Sequence, residues 1–214
     1  MEEKVKYGII LLRIKKWYNY IMEMVKNHSK QQLRKQMLAK LVALTKKELR
    51  RRSKNVETKL SSLSIYKDSE VIVFYHPIEG EVDIEGIIRK ACLEKKVCLP
   101  VTDLATKTLK IFQIDNLADD LVKGTFGIKE PNKEKAKELD INQIDTVIVP
   151  GLAYDYNRNR LGRGGGFYDR LLKKLPNSTK KLGVAFDFQI LKNLPTNPVT
   201  DQKVDLIVTE DKTI

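Results

Sequence analysis

The sequence predicts an α/β protein: one doubly wound, mainly parallel sheet with helices on both faces, preceded by a basic helical segment. Three observations carry this. Short apolar runs recur along the chain, among them "VIVFY" (71–75), "DTVIVP" (145–150) and "KLGVAF" (181–186). Amphipathic stretches of helical period alternate with them, the βαβ pattern that covers a parallel sheet on both sides. The chain of 214 residues, 42% hydrophobic and 32% charged, is long enough for one substantial core. It has no apolar run of about 18 residues, so no stable membrane insertion is expected.

Taken in order, the first segment is the least regular. "GIILLRIKKWYNYIMEMV" (8–25) is apolar in patches, but Arg13, Lys15 and Lys16 interrupt it. A secretory signal needs an unbroken apolar stretch and a small-residue cleavage site, and neither is present. Residues 1–29 are read as an N-terminal extension, either an amphipathic surface helix or a stretch upstream of a start at Met22 or Met24. The α/β domain is expected over 30–214. Leu33, Met37, Leu41 and Leu44 give a helix from Lys30 to Arg52, and "KNVETKLSSLSIY" (54–66) a second, shorter one.

"VIVFY" is the first buried strand, and Pro77 and Gly80 mark the loop after it. "DIEGIIRKACLEKK" (83–96) is an amphipathic helix with Asp83 as its cap. "VCLP" (97–100) and "LKIFQI" (109–114) are strands, and "GTFGIKEPN" (124–132) reads as a loop. "DTVIVP", "KLGVAF" and "VDLIVT" (204–209) complete the sheet.

Charge is segregated. Residues 1–59 hold 17 Lys/Arg and 5 Asp/Glu, whereas residues 60–214 hold 23 of each. The net charge of +12 thus lies wholly in the N-terminal quarter. The body of the protein has no charge-based claim to a polyanion. Cys92 and Cys98 suggest buried free thiols and a reducing compartment, and with two distant histidines they do not make a zinc site.

The chemistry concentrates in "GLAYDYNRNRLGRGGGFYDRLL" (151–172). A strand ends at Pro150, and a polar loop leads to the glycines of 162–166. A helix follows, its Phe167, Leu171 and Leu175 four apart. Ligands of doubly wound sheets bind at such a strand-to-helix junction. Glycines let backbone N–H groups approach a phosphate, and the helix N-terminus adds free donors and partial positive charge. Arg158, Arg160 and Arg163 add forked donors. Asp169, in the first helical turn, either complements the helix dipole or holds a Mg²⁺ ion that bridges phosphates. The plain alternative is a solvated surface loop. Neither the dehydrogenase glycine fingerprint nor a Walker loop matches this spacing.

These residues resemble the signature of the 5-formyltetrahydrofolate cyclo-ligase (5,10-methenyltetrahydrofolate synthetase) family, roughly PGxAFD, a short spacer and RLGxGxGYYDR. "KQQLRKQML" (30–38), "EVDIEGII" (81–88), "GTFGIKEP" (124–131) and "VAFDFQ…LP…TDQKVDLIVTE" (184–210) resemble other parts of it, in order, over residues 30–210. Phe167 stands where Tyr is commoner, and Thr200 where bacterial relatives often have His.

The resemblance implies an ATP-dependent, C–N bond-forming ligase that closes 5-formyltetrahydrofolate to 5,10-methenyltetrahydrofolate, with ADP and phosphate released through a phosphorylated formyl intermediate. By the same resemblance, ATP is held by Lys30, Arg34, Arg160, Leu161, Gly162, Arg163, Gly164, Gly165, Gly166, Phe167 and Tyr168. The folate meets Glu81, His76, Arg163, Gly164, Gly165, Gly166 and Phe167. Mg²⁺ is held by Asp169 and Asp201. A cytoplasmic monomer with no nucleic-acid partner is implied. Two rivals stand beside it: a basic module that docks on RNA or an anionic membrane through residues 1–59, and a phosphosugar or CoA-type enzyme on a similar sheet.

Overall fold

The computed structural model describes residues 29–214 together with Met22, Met24 and Val25. The extension expected over 1–29 therefore lies almost wholly outside the described residues. Helix α1 (29–42) buries Met37 and Leu41, with Leu33 and Leu44 packed partly against the same core. The sequence predicts this helix to run on to Arg52. Instead it stops, and Thr45, in extended conformation, starts α2 (Lys46–Ser62). The Thr45 hydroxyl accepts from the Glu48 N–H at 3.2 Å, and the Glu48 carboxylate accepts from the Thr45 N–H at 3.1 Å. That reciprocal capping box outweighs a leucine period that runs through it. Helix α2 absorbs most of the shorter helix expected at 54–66, and α3 (Ser64–Asp68) completes it.

Strand β1 (Val71–Val73) is followed by α4 (Glu85–Ala91), β2 (Lys96–Asp103) and β3 (Thr108–Ile114). The N-cap of α4 is Ile84, with no side-chain cap hydrogen bond, and not the expected Asp83, which lies one residue earlier and accepts from the Glu85 N–H at 3.1 Å. The stretch expected as a loop at 124–132 is more ordered than that. It holds a 3-10 turn and the second strand of a hairpin, β4 (Leu121–Lys123) with β5 (Lys129–Pro131). The chain continues as β6 (Thr146–Pro150), β7 (Ala153–Asp155), β8 (Arg160–Leu161), α5 (Phe167–Lys174), β9 (Lys180–Val184), β10 (Ile190–Leu191) and β11 (Leu206–Val208).

The main sheet has six strands in the order β11-β9-β6-β1-β2-β3. All neighbours are parallel except the edge strand β3, which pairs antiparallel with β2. The doubly wound, mainly parallel α/β architecture is thus as the sequence predicts. Alternate residues serve opposite faces. Ile72, Leu99, Ile148 and Leu182 pack with residues of α1, α2 and α4. Val71, Val73, Val147 and Val149 pack with Leu171, Leu172 and Leu175 at α5. Each fully buried aliphatic side chain contributes about 1.5–3 kcal/mol. Both cysteines are free, as expected, and burial pushes the Cys98 thiol up to about 12. Among the described residues no helix is long and apolar enough to cross a membrane.

The chain builds outward from β1 in both directions, through β2 on one side and β6 on the other, so the order reverses between β1 and β6. A cleft opens beyond the carboxyl ends of strands at such a point. The core on the α5 face of the sheet is tightly packed: a Cβ at residue 183 would lie 2.6 Å from the buried Tyr154 ring. Gly183→Ala is therefore expected to cost about 1–3 kcal/mol by overpacking. Denaturant unfolding measures this, and a midpoint unchanged from the parent chain would show that the ring can yield.

Candidate active site

Strand β6 ends at Pro150, the β7–β8 hairpin turns back, and β8 delivers Arg160 under the glycine run. The Arg160 side chain is 3% exposed, and its Nη2 lies 3.0 Å from Asp169 Oδ1. Its Nη1 donates to the Pro150 carbonyl at 3.3 Å, and the guanidinium sits 5.7 Å from the Tyr168 ring centre. Arg160 Nε is buried with no hydrogen-bond partner among the described residues. A Cβ at Gly162 would sit 2.7 Å from Arg160 Nη1, so a side chain there would displace the guanidinium. Gly164 (φ 109°) and Gly166 (φ 67°) occupy backbone conformations that other residues rarely adopt. Gly166 caps α5 with no side-chain hydrogen bond, which leaves the first helical N–H groups without a side-chain acceptor.

Helix α1 supplies the facing wall. Lys30 and Arg34, one helical turn apart, both reach the loops of the site. Lys30 Nζ pairs with Asp201 Oδ2 at 2.5 Å, and Arg34 Nε donates to the Gly162 carbonyl at 2.9 Å. The two cations are therefore not merely the solvated face of a basic helix. Asp201 also accepts from the Asn197 N–H at 2.8 Å, and Asp169 from the Gln202 N–H at 3.1 Å. The residue after Asp201 is thus tied to Asp169.

On the β1 side, Glu81 Oε1 lies 3.2 Å from Arg163 Nε, whose Nη2 donates to the Glu79 carbonyl. Burial pushes the Glu81 carboxyl above its ordinary 4.5, and Arg163 pulls it partway back by charge and hydrogen bond. Burial also lowers His76 below its ordinary 6.5, although Glu85 Oε1, 3.5 Å from Nε2, opposes this. Tyr75 and Tyr154 donate to the Val82 and Val149 carbonyls, both at 2.7 Å. Burial raises both phenols, so they stay protonated.

One cleft of about 770 Å³ is lined by Lys30, Arg34, His76, Glu81, the run from Arg160 to Tyr168, Asp169 and Asp201, the residues that the family resemblance implies. Arg158 does not join them, contrary to its expected place among the phosphate-facing arginines. It sits exposed in the hairpin turn at φ 62° and donates to the Asp205 carbonyl at 2.9 Å. Sequence reasoning overlooked Tyr75, Glu130, Arg170 and Lys173, which share the cleft. Tyr75 ends an apolar strand and reads as core. Glu130 is buried, accepting from the Thr102 N–H at 3.0 Å and the Thr125 N–H at 3.1 Å, so it braces the β4–β5 hairpin. Arg170 donates to the Gly165 carbonyl at 2.7 Å and stacks 5.3 Å from the Phe167 ring centre.

The raised Glu81 carboxyl has a measurable consequence. The folded chain keeps that proton to higher pH than the unfolded chain, so the native state binds more protons just above pH 4.5. Stability then falls as pH rises through the window from 4.5 to the raised folded value. The stability of the parent chain relative to Glu81→Gln is expected to decline across that window and level off above it. Melting curves over the acidic range test this, and parallel pH profiles for the two chains would exclude it.

Comparison with known proteins places the chain in a family. Residues 26–210 match the model of the 5-formyltetrahydrofolate cyclo-ligase family. The chain is 31% identical to 5-formyltetrahydrofolate cyclo-ligase of Haemophilus influenzae, over 84% of this chain and 97% of that one. Its fold is similar to that of Aquifex aeolicus 5,10-methenyltetrahydrofolate synthetase, with TM-score 0.76 and 36% identity over 86% of this chain and 91% of that one. A 5,10-methenyltetrahydrofolate synthetase from Mycoplasma pneumoniae gives TM-score 0.67 and 26% identity over 85% and 98% of the two chains. A buried arginine beneath a glycine turn, a helix N-terminus beside it and a match across nearly the whole described chain lead to one assignment: the chain belongs to the 5-formyltetrahydrofolate cyclo-ligase family.

Proposed function

We propose that the protein closes 5-formyltetrahydrofolate to 5,10-methenyltetrahydrofolate at the expense of ATP, with release of ADP and phosphate. The observation that carries this reading is the glycine turn between β8 and α5, placed against Lys30, Arg34 and Arg160 in one cleft with the half-buried Glu81. Backbone N–H groups at a helix start and forked cations form an anion site, and a half-buried carboxylate close by suits the donor groups of a pterin.

In the proposed reaction the formyl oxygen attacks the γ-phosphorus, and the bond from that phosphorus to the bridging oxygen breaks, so ADP leaves. N10 then attacks the activated formyl carbon and gives up its proton. The carbon–oxygen bond breaks, phosphate departs, and the methenyl bridge joins N5 to N10. Phosphoryl transfer of this kind depends on positioning and charge neutralisation more than on covalent help. Arg160, Lys30 and Arg34 are assigned to the phosphates. Glu81 is assigned to the pterin, with His76 on the same wall. Phe167 lies tightly over Gly165, where a Cβ would approach its ring to 2.7 Å, and offers an apolar face beside the folate.

Asp169 and Asp201 are assigned to Mg²⁺. Their side chains are each 21% exposed, and the Asp169–Gln202 hydrogen bond holds the two segments together. Two carboxylates beside a phosphate site suit an ion that takes one or two carboxylates and completes its shell with phosphate oxygens and water. When bound, Mg²⁺ would supply charge neutralisation on the phosphates. In this reading the enzyme is a monomer of the cytoplasm, the compartment that free thiols favour. Lys30 and Arg34 turn into the cleft, which weakens the rival reading of a basic module for RNA or membranes.

The direct test is growth of methenyl-folate absorbance from 5-formyltetrahydrofolate with and without MgATP; no growth in its presence would end this reading. Arg160→Ala is expected to weaken transition-state binding by about 2–5 kcal/mol, the loss for truncating one partner of a desolvated charge pair. Lys should restore only part, since it lacks the planar fork. Turnover by Arg160→Ala equal to the parent's would remove the arginine from the reaction. Asp169→Asn and Asp201→Asn are both expected to lose activity and regain part of it at high Mg²⁺. An unchanged Mg²⁺ requirement in both would sink the metal assignment.

A further inference from the structure

Asp155 is 1% exposed and does not itself line the cleft, yet its carboxylate is completely engaged. Oδ1 accepts from the Asn157 N–H at 2.9 Å, the Asn159 N–H at 3.0 Å and the Asn159 side-chain amide at 3.1 Å. Oδ2 accepts from the same amide at 2.8 Å and from the Leu194 N–H at 3.0 Å. A buried carboxylate is costly unless its lone pairs are filled, and here N–H donors from two separate segments fill them.

The first segment is the β7–β8 turn. Asp155 closes it against Asn157 and Asn159, the Arg158 N–H donates to the Asp155 carbonyl at 2.8 Å, and Arg158 is held at φ 62°. A non-glycine residue rarely adopts that conformation unless its surroundings impose it. The next residue after this turn is Arg160, at the start of β8. The second segment is the 194–204 loop. One end is fixed by the Leu194 N–H on Asp155, and the other by the Val204 N–H, which donates to the Arg158 carbonyl at 3.1 Å. Between these ends lie Asp201, paired with Lys30, and Gln202, bonded to Asp169.

We propose that Asp155 is a positioning residue that couples the two halves of the nucleotide site, holding the turn that aims Arg160 and the loop that carries Asp201 on one carboxylate. This deepens the functional reading above and rests on it. The residue touches neither substrate. It acts through Arg160 and Asp201, so its loss should act on nucleotide and metal handling and spare folate binding.

Asp155→Asn tests the coupling with little change of shape. N–H donors face both carboxylate oxygens, so whichever way the amide turns, one set of donors meets an NH₂ group. At a temperature where melting curves show the variant folded, kcat is expected to fall on the order of 10- to 100-fold, the scale on which a small misplacement far from the chemistry is felt. Calorimetry with a non-hydrolysable ATP analogue and Mg²⁺ should show weaker binding, and the Mg²⁺ requirement should rise. The KM for 5-formyltetrahydrofolate should stay near the parent value.

Asn159→Ala removes only the side-chain donor and should shift the same quantities in the same direction by less. It carries the test alone if Asp155→Asn does not fold. The proposal is overturned if the folded variant binds the analogue and Mg²⁺ like the parent and loses activity only in proportion to a reduced active fraction. Lack of analogue binding by the parent chain would instead overturn the functional reading, and this inference with it.

Discussion

The site is organised by the burial of one guanidinium. Arg160 is almost wholly removed from water, and a cation there is tolerated only when paired and hydrogen-bonded. Its partners come from the end of β6, through the Pro150 carbonyl, and from the first turn of α5, through Asp169. A side chain at Gly162 would push this guanidinium from its place. One residue thereby fixes how the strand, the glycine turn and the helix meet. Arg160 Nε, which has no partner among the described residues, is the part of this arrangement still unsatisfied.

Three of the cations that line the cleft are paired with carboxylates that also line it. Lys30 pairs with Asp201, Arg160 with Asp169 and Arg163 with Glu81. Breaking one side of such a desolvated pair leaves a charge exposed to a poor solvent, so a lone anion gains little by displacing a carboxylate. A ligand that brings anionic groups for the cations and a cation for the carboxylates exchanges partners on both sides. MgATP has that composition.

The sheet order explains why residues so far apart in the chain assemble here. The chain winds away from β1 in both directions, and the loops after β1 and β6 diverge to leave a crevice. Glu81 follows β1, and the glycine turn follows β6. Helix α1, which precedes the sheet in the chain, packs through Met37 and Leu41 so that Lys30 and Arg34 reach across the same crevice.

Much of this was legible from local pattern. Apolar runs marked the strands, alternation marked a sheet buried on both faces, and the glycine turn was recognisable because its chemistry lies within five consecutive residues between a strand and a helix. Other features were decided elsewhere. The break between α1 and α2 depended on a two-residue capping exchange beneath a continuous leucine period. The β4–β5 hairpin was hidden by a turn-rich composition, and Glu130 braces it through backbone donors. Arg158 and Arg160, two residues apart, met opposite fates, one exposed at a left-handed turn and one buried. The pairing of Lys30 with Asp201 spans 171 positions. Sequence pattern reports which residues leave water and with what period, because that is set by each segment's own chemistry. Which charge faces which is set by the packing of segments distant in the chain, and only the tertiary structure decided it.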